Sequence, residues 1–144
     1  VLAFQNHQKN NLEVAENLYE ETLKTNPNHF ESIYLLGTLL IQKKDFNRSI
    51  QLLKKAIKIQ PNHASAYNNL GIAVMSNDEK NYQGANDYFK KAIKIDPNSA
   101  EAFYNLGNIC KKIEILTTGN AIDFGDLNFA SSHPAGLTNG HGGL

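Results

Sequence analysis

Three prolines set the frame of this chain. Pro27, Pro61 and Pro97 recur at steps of 34 and 36 residues, each followed by Asn, and the text between them is written twice over: "KKAIKIQPNHASAYNNLG" at Lys54–Gly71 and "KKAIKIDPNSAEAFYNLG" at Lys90–Gly107. Phe46, Ile50, Leu53 and Ile57 fall at three- and four-residue steps, as do Tyr82, Ala85, Phe89, Ala92 and Ile93, so each stretch predicts a helix with one apolar stripe. A second helical pattern precedes each, "FESIYLLGTLLIQKK" and "ASAYNNLGIAVMS", with Gly37 or Gly71 inside it. An interior helix glycine costs about 1 kcal/mol against alanine. Close approach of a partner helix is the expected compensation. Each proline lacks an N–H and its ring blocks the preceding turn, so it marks a helix end and a reversal of the chain. The unit is therefore helix, turn, helix, stop. One such pair cannot hide its own apolar face, and neighbouring pairs must stack.

At this spacing the residues resemble the tetratricopeptide repeat, whose signature combines a Leu-Gly pair, small and aromatic residues and a closing proline at a period of 34. Repeat 30–63 is similar to it through Leu36, Gly37, Ser49, Leu53, Ala56 and Pro61. Repeat 64–99 is closer, with Tyr67, Leu70, Gly71, Ala85, Phe89, Ala92 and Pro97, and carries two extra residues near "SNDEKN". Upstream, residues 1–29 read as a partial repeat: "VLAFQNHQ" stands for a first helix, and Leu12, Ala15, Tyr19 and Pro27 mark the second. Residues 100–112, with Phe103, Leu106 and Gly107, read as a first helix without its second. The resemblance implies an all-α fold, a right-handed α-solenoid of antiparallel helix pairs over 1–112. Leu53 replaces the usual aromatic residue and Ser49 the usual alanine, which predicts looser packing in that unit. The unfinished last repeat leaves an apolar face in need of cover.

The same resemblance implies a non-enzymatic scaffold whose partner is a protein or peptide, an extended segment or a helix held in the concave groove lined by first helices. The groove candidates are Tyr34, Thr38 and Ile41, then Asn68, Asn69, Ile72 and Met75, then Tyr104, Asn105, Asn108 and Lys112. Asn69 and Asn105 directly precede Leu-Gly pairs, and an amide that both donates and accepts can pair with a peptide backbone without reading its side chains. Their placement is similar to the asparagine ladder in the repeat arm of the O-linked N-acetylglucosamine transferases, interrupted here by Leu35. Two readings stay open for these asparagines, a ligand contact and a solvated polar position. Two other classes of function also remain: the recognition arm of a longer enzyme such as a glycosyltransferase, and a structural subunit that self-assembles through open solenoid ends.

Charge argues against nucleic acid. The 144 residues carry 14 Lys and Arg against 14 Asp and Glu. All the basic residues lie at or before Lys112 with eleven acids, giving +3 there, and Glu114, Asp123 and Asp126 make the remainder −3. So small an excess offers little counterion release. Lys54, Lys55, Lys58, Lys90, Lys91 and Lys94 read as the solvated outer face of second helices, with no interleaved aromatic residues to stack bases.

Catalytic chemistry finds no motif. His7, His29, His63, His133 and His141 lack metal-ligand spacing, and turn or loop positions are expected for all five. Cys110, beside Leu106 and Ile109, reads as a packed thiol. No metal or cofactor is expected. No apolar run is long enough to cross a bilayer, and the N-terminus has no signal-peptide pattern, so membrane association is not expected and a cytoplasmic location is. The chain opens on Val1, which suggests a processed product or a fragment.

After Lys112 the pattern changes. Six of the ten glycines lie between Gly119 and Gly143. "IEIL" at Ile113–Leu116 and "AIDF" at Ala121–Phe124 read as short strands about the turn "TTGN", and "TTGNAIDFGDL" with "NGHGGL" resembles one Gly-rich repeat of kelch-like proteins. For residues 113–144 three arrangements stay open besides disorder: loss of neighbouring units, packing on the last helix, and addition to an edge in another copy, where a homo-oligomer would form.

Overall fold

The structure, a computed structural model, describes residues 2–78 and 81–118, with side chains through 115. Among the described residues there are seven α-helices and no strand: α1 (Leu2–Gln8), α2 (Leu12–Thr25), α3 (Phe30–Gln42), α4 (Phe46–Ile59), α5 (Ala64–Asn77), α6 (Tyr82–Ile95) and α7 (Ala100–Thr118). The chain divides into two compact units, Val1–Ile109 and Cys110–Leu144.

In the first unit the helices pair as α1 with α2, α3 with α4 and α5 with α6, and each pair packs on the next through α2 on α3 and α4 on α5. First helices also meet directly, α3 touching α5. The result is the α-solenoid of antiparallel helix pairs that the family resemblance implies. Each second helix stops two residues before its proline: α2 at Thr25, α4 at Ile59 and α6 at Ile95. The turn after a first helix is tight. Asn10 and Lys44 close it with left-handed backbone, φ 61° and 62°.

Gly37 and Gly71, inside α3 and α5, do what their cost requires. A Cβ on Gly37 would lie 2.9 Å from Leu53 Cγ, and one on Gly71 2.6 Å from Phe89 Cε1. Ala3 occupies the matching place in α1, one repeat before Gly37, and packs against the layer around Tyr19, Leu36 and Leu40. A second layer joins Phe30 and Ile33 to Ala56 and Ala66, so α3 is shared between its own pair and the following one.

Three sequence expectations change here. Repeat 30–63 is not loosely packed: Leu53 and Ser49 are fully buried, and the Ser49 hydroxyl donates to the Gly37 carbonyl at 2.7 Å, a bond alanine could not make. "IEIL" is not a strand, because α7 runs past Lys112 to Thr118. Leu106, Ile109, Ile113 and Leu116 continue the three- and four-residue spacing, which outweighs the β-branched composition of the stretch. Cys110 is exposed rather than packed. Its counterparts Leu40 and Val74 are buried in helix pairs, whereas α7 has no second helix among the described residues. The expected strand at Ala121–Phe124 and the kelch-like resemblance fall outside the described residues.

Candidate functional site: a polar ladder along the first helices

The first helices begin on an unusual cap. His29 Nδ1 accepts from Ser32 N at 3.3 Å, His63 Nδ1 accepts from Ala66 N at 3.1 Å, and Ser99 Oγ does the same for Ala102 N at 3.4 Å. Each occupies the second place after its proline, so one slot in the repeat reads His, His, Ser. An acceptor there satisfies an N–H that the first turn leaves unpaired. Two of the five histidines are thus caps, and His7 lies within α1 rather than in a loop, edge-on to Tyr19 with ring centroids 6.2 Å apart. Burial holds its imidazole below the ordinary value. His133 and His141 are outside the described residues.

With α3 and α5 so fixed, the candidate groove residues meet one another. Asn69 Nδ2 donates to Thr38 Oγ1 at 3.0 Å and lies 3.4 Å from Tyr34 Oη, while Thr38 Oγ1 donates to the Tyr34 carbonyl. One repeat on, Asn105 Nδ2 donates to Asn68 Oδ1 at 3.0 Å. Asn68 is buried at 2% exposure, so this bond satisfies a side chain taken out of water. The asparagines therefore have a role that neither earlier reading contained: they tie successive first helices together. The bonds that Asn69 and Asn105 make to their neighbours run through Nδ2.

The remaining candidates differ in accessibility. Tyr34 is half-buried, stacked on Phe30 at 6.0 Å and tilted against His63 at 4.8 Å. Ile41, Ile72, Met75 and Asn108 are half-buried, and Tyr104 is 69% exposed. Lys112 is exposed on α7 and belongs to the second unit. Between α1 and α3 lies an open depression of 440 Å³ lined by Phe4, His7, Leu35, Thr38 and Gln42, which sequence reasoning did not find because α1 carries no repeat signature.

On the opposite side, second helices are joined by charge. Arg48 donates to Glu16 Oε1 at 2.9 Å and to Glu20 Oε1 at 2.6 Å, and Lys43 also donates to Glu16. These bonds, led by that from Lys43, hold the Glu16 carboxyl below the usual carboxylate range. Among the described residues no group of three His, Cys, Asp or Glu could hold a metal ion, and no helix is long and apolar enough to cross a membrane.

Comparison with known proteins agrees with this architecture. The family model for the TPR repeat matches residues 37–78 and 77–113. No curated protein matches the sequence. Among solved structures the chain is similar to a crystal structure of MamA, with 29% identity and TM-score 0.72 over 79% of this chain and 66% of that one. The first TPR of Spaghetti (RPAP3), bound to the HSP90 peptide SRMEEVD, has 15% identity and TM-score 0.73 over 78% of this chain and 87% of that one. The O-GlcNAc transferase of Thermobaculum terrenum (a K341M mutant) has 20% identity and TM-score 0.70, over 74% of this chain and 20% of that one. This chain spans just under two thirds of that MamA chain. Helix pairing, glycine packing and the family match lead to one assignment: the chain belongs to the tetratricopeptide-repeat family.

Proposed function

We propose that this protein is a non-enzymatic interaction scaffold that holds an extended peptide segment of a partner along its first helices. The observation that carries this reading is the polar ladder. The Asn69 and Asn105 amides are each hydrogen-bonded through Nδ2 to a neighbouring repeat, which fixes the side chain before a ligand arrives and lowers the ordering cost of binding. Their Oδ1 atoms suit the N–H groups of an extended backbone. Half-buried Ile72 and Tyr34 and exposed Tyr104 supply apolar contact beside them. A protein of the same fold carries a bound peptide, which supports the mode without naming this chain's ligand.

The test selects peptides from a random display library on the full chain and measures their affinity by fluorescence anisotropy. Asn69→Ala and Tyr104→Ala are expected to weaken binding about tenfold, while Lys54→Ala and Lys90→Ala on second helices leave it unchanged, helicity being constant throughout. Equal affinity for all four would remove the ladder from the binding surface.

A second reading, end-to-end self-assembly, is favoured by Gly107. Nothing among the described residues lies within 4 Å of a Cβ placed there, and Phe103 one turn before is 51% exposed. It predicts a sedimentation mass well above 16.0 kDa that falls in Phe103→Glu. A 16.0 kDa species for both proteins would dismiss it.

A further inference from the structure

Charge is divided unevenly between the two kinds of helix. The first helices α1 and α5 contain no Asp, Glu, Lys or Arg, and α3 contains one, Glu31, in its first turn. The second helices α2, α4 and α6 contain thirteen. Burial does not explain the contrast. Gln5, Gln8, Gln42, Ser65, Ser76 and Asn77 are exposed positions of first helices, and each carries an amide or hydroxyl where water-facing surface commonly carries Lys or Glu. In the flanking chain, charge sits at the helix ends. Glu31 is 3.6 Å from His29 Nε2, Lys43 is bonded to Glu16 on α2, Lys9 and Lys44 stand in the turns after α1 and α3, and Asp78 follows α5.

The uncharged surface runs from α1 across α3 to α5. Thr38 accepts from Asn69 on α5 and also lines the 440 Å³ depression between α1 and α3, whose other polar groups are the amides of Gln8, Asn10 and Gln42 and the imidazole of His7. Burial holds that imidazole below its ordinary value, which keeps it neutral near pH 7. Amides and hydroxyls can donate to and accept from a peptide unit or a neutral polar side chain. None of them neutralises an ion. A charged side chain seated among them would give up hydration and meet no counter-charge, whereas a neutral one exchanges water for equivalent hydrogen bonds.

We propose that the partner segment held along α1, α3 and α5 is uncharged, a stretch of Ser, Thr, Asn, Gln and apolar residues without Asp, Glu, Lys or Arg, and that the groove selects it by rejecting charge of either sign. This rests on the groove reading and names the class of segment that the groove takes. Selection of this kind works through the cost imposed on the wrong partner rather than through an added attraction to the right one. The peptide SRMEEVD, carried by a protein of the same fold, contains one Arg, two Glu and one Asp. This groove has no cation on α1, α3 or α5 to receive such acids. Lys112, the basic side chain among the candidate residues, belongs to the second unit.

The experiment uses the full chain and a display library of dodecapeptides in which every residue type is allowed. The selected peptides are expected to be depleted of charged residues over their central positions. In the tightest of them, replacing a central residue by Asp or by Lys should each weaken binding at least about tenfold, while Asn at the same place changes it less than about threefold. Affinity should move less than about twofold between about 50 mM and about 500 mM NaCl, since no ion pair is there to be screened. Gln42→Lys, an exposed change that leaves the core untouched, should recover at least about tenfold of the affinity lost by the Asp peptides and none of that lost by the Lys peptides. Selected peptides rich in Asp and Glu or in Lys and Arg, weakened by Asn69→Ala and by salt, would overturn the proposal and leave the groove reading standing. Neutral peptides that bind Asn69→Ala as tightly as the parent, or a library that yields no peptide, would remove both.

Discussion

The ring of Phe89 lies against the backbone of Gly71, so that a methyl group placed on that glycine would come within 2.6 Å of ring carbon Cε1. Phe89 is fully buried, and the contact sets how closely α5 and α6 approach. The same place in α7, Gly107, faces open space among the described residues. One sequence motif therefore has opposite mechanical consequences in successive repeats.

From this contrast, Gly71→Ala is expected to destabilise the protein by about 1–3 kcal/mol through overpacking. Gly107→Ala should stabilise by up to about 1 kcal/mol, since it removes a helix-interior glycine without a clash. Urea denaturation of the two variants beside the parent measures both. A loss for Gly107→Ala would mean that a partner covers that face in solution.

The histidine caps give a second expectation. His63→Ala removes both the acceptor for Ala66 N and the ring packed on Phe30 and Tyr34, whereas His63→Ser restores the acceptor that Ser99 supplies one repeat later. Ser should therefore recover about 1 kcal/mol relative to Ala. Equal melting temperatures for the two would show that the ring contacts carry the whole effect.

The bond between Asn68 and Asn105 is expected to be non-additive. Asn105→Ala leaves the buried Asn68 oxygen without its donor and should cost about 1–3 kcal/mol. Adding Asn68→Ala removes the orphan as well, so the double variant should lose less than the sum of the two single losses. A double-mutant cycle in denaturant reads the coupling directly.

Acid should weaken the fold in two separate windows. Glu16 has a folded value below its unfolded one, about 4.5, so its contribution is complete above that pH and disappears as the pH falls through the folded value. His7, held below 6.5 by burial, likewise stabilises above 6.5 and loses its contribution as the pH falls through its lower folded value. Glu16→Gln should flatten the lower window and His7→Phe the upper one in stability measured against pH. A parent curve that is level through both ranges would contradict the assignments.

Lys44 closes the α3–α4 turn with φ 62°, a conformation that costs an ordinary residue about 1–2 kcal/mol. Lys44→Gly should raise the melting temperature, and a drop would show that the side chain contributes more than the backbone costs.

Much of this protein is legible in its sequence, because the repeat is a local code. Prolines after second helices, apolar residues at three- and four-residue steps and glycines in first helices each follow from backbone geometry or from contact with a helix only a few residues away. Helix positions and solenoid stacking were therefore readable from the text. The end of α7 was not, since "IEIL" satisfies strand and helix composition alike and only its phase with Leu106 and Ile109 favours the helix. The cap role of His29 and His63 had a signal, the Ser at the same slot before α7, but a histidine alone does not announce it.

What the tertiary structure alone decided concerns groups more than thirty residues apart. The text placed Asn69 and Asn105 on first helices, but whether each amide meets water, ligand or a neighbouring repeat depends on how far one pair is rotated against the next. The hydroxyl of Tyr19, buried with no hydrogen-bond partner among the described residues, is likewise decided by tertiary structure, over a shorter stretch of chain. A tyrosine at an aromatic position is ordinary by composition, and whether its oxygen finds a partner depends on the walls that α1 and α3 build around it. Periodicity fixes which face of a helix is apolar, whereas stacking geometry fixes which polar atoms on that face are satisfied.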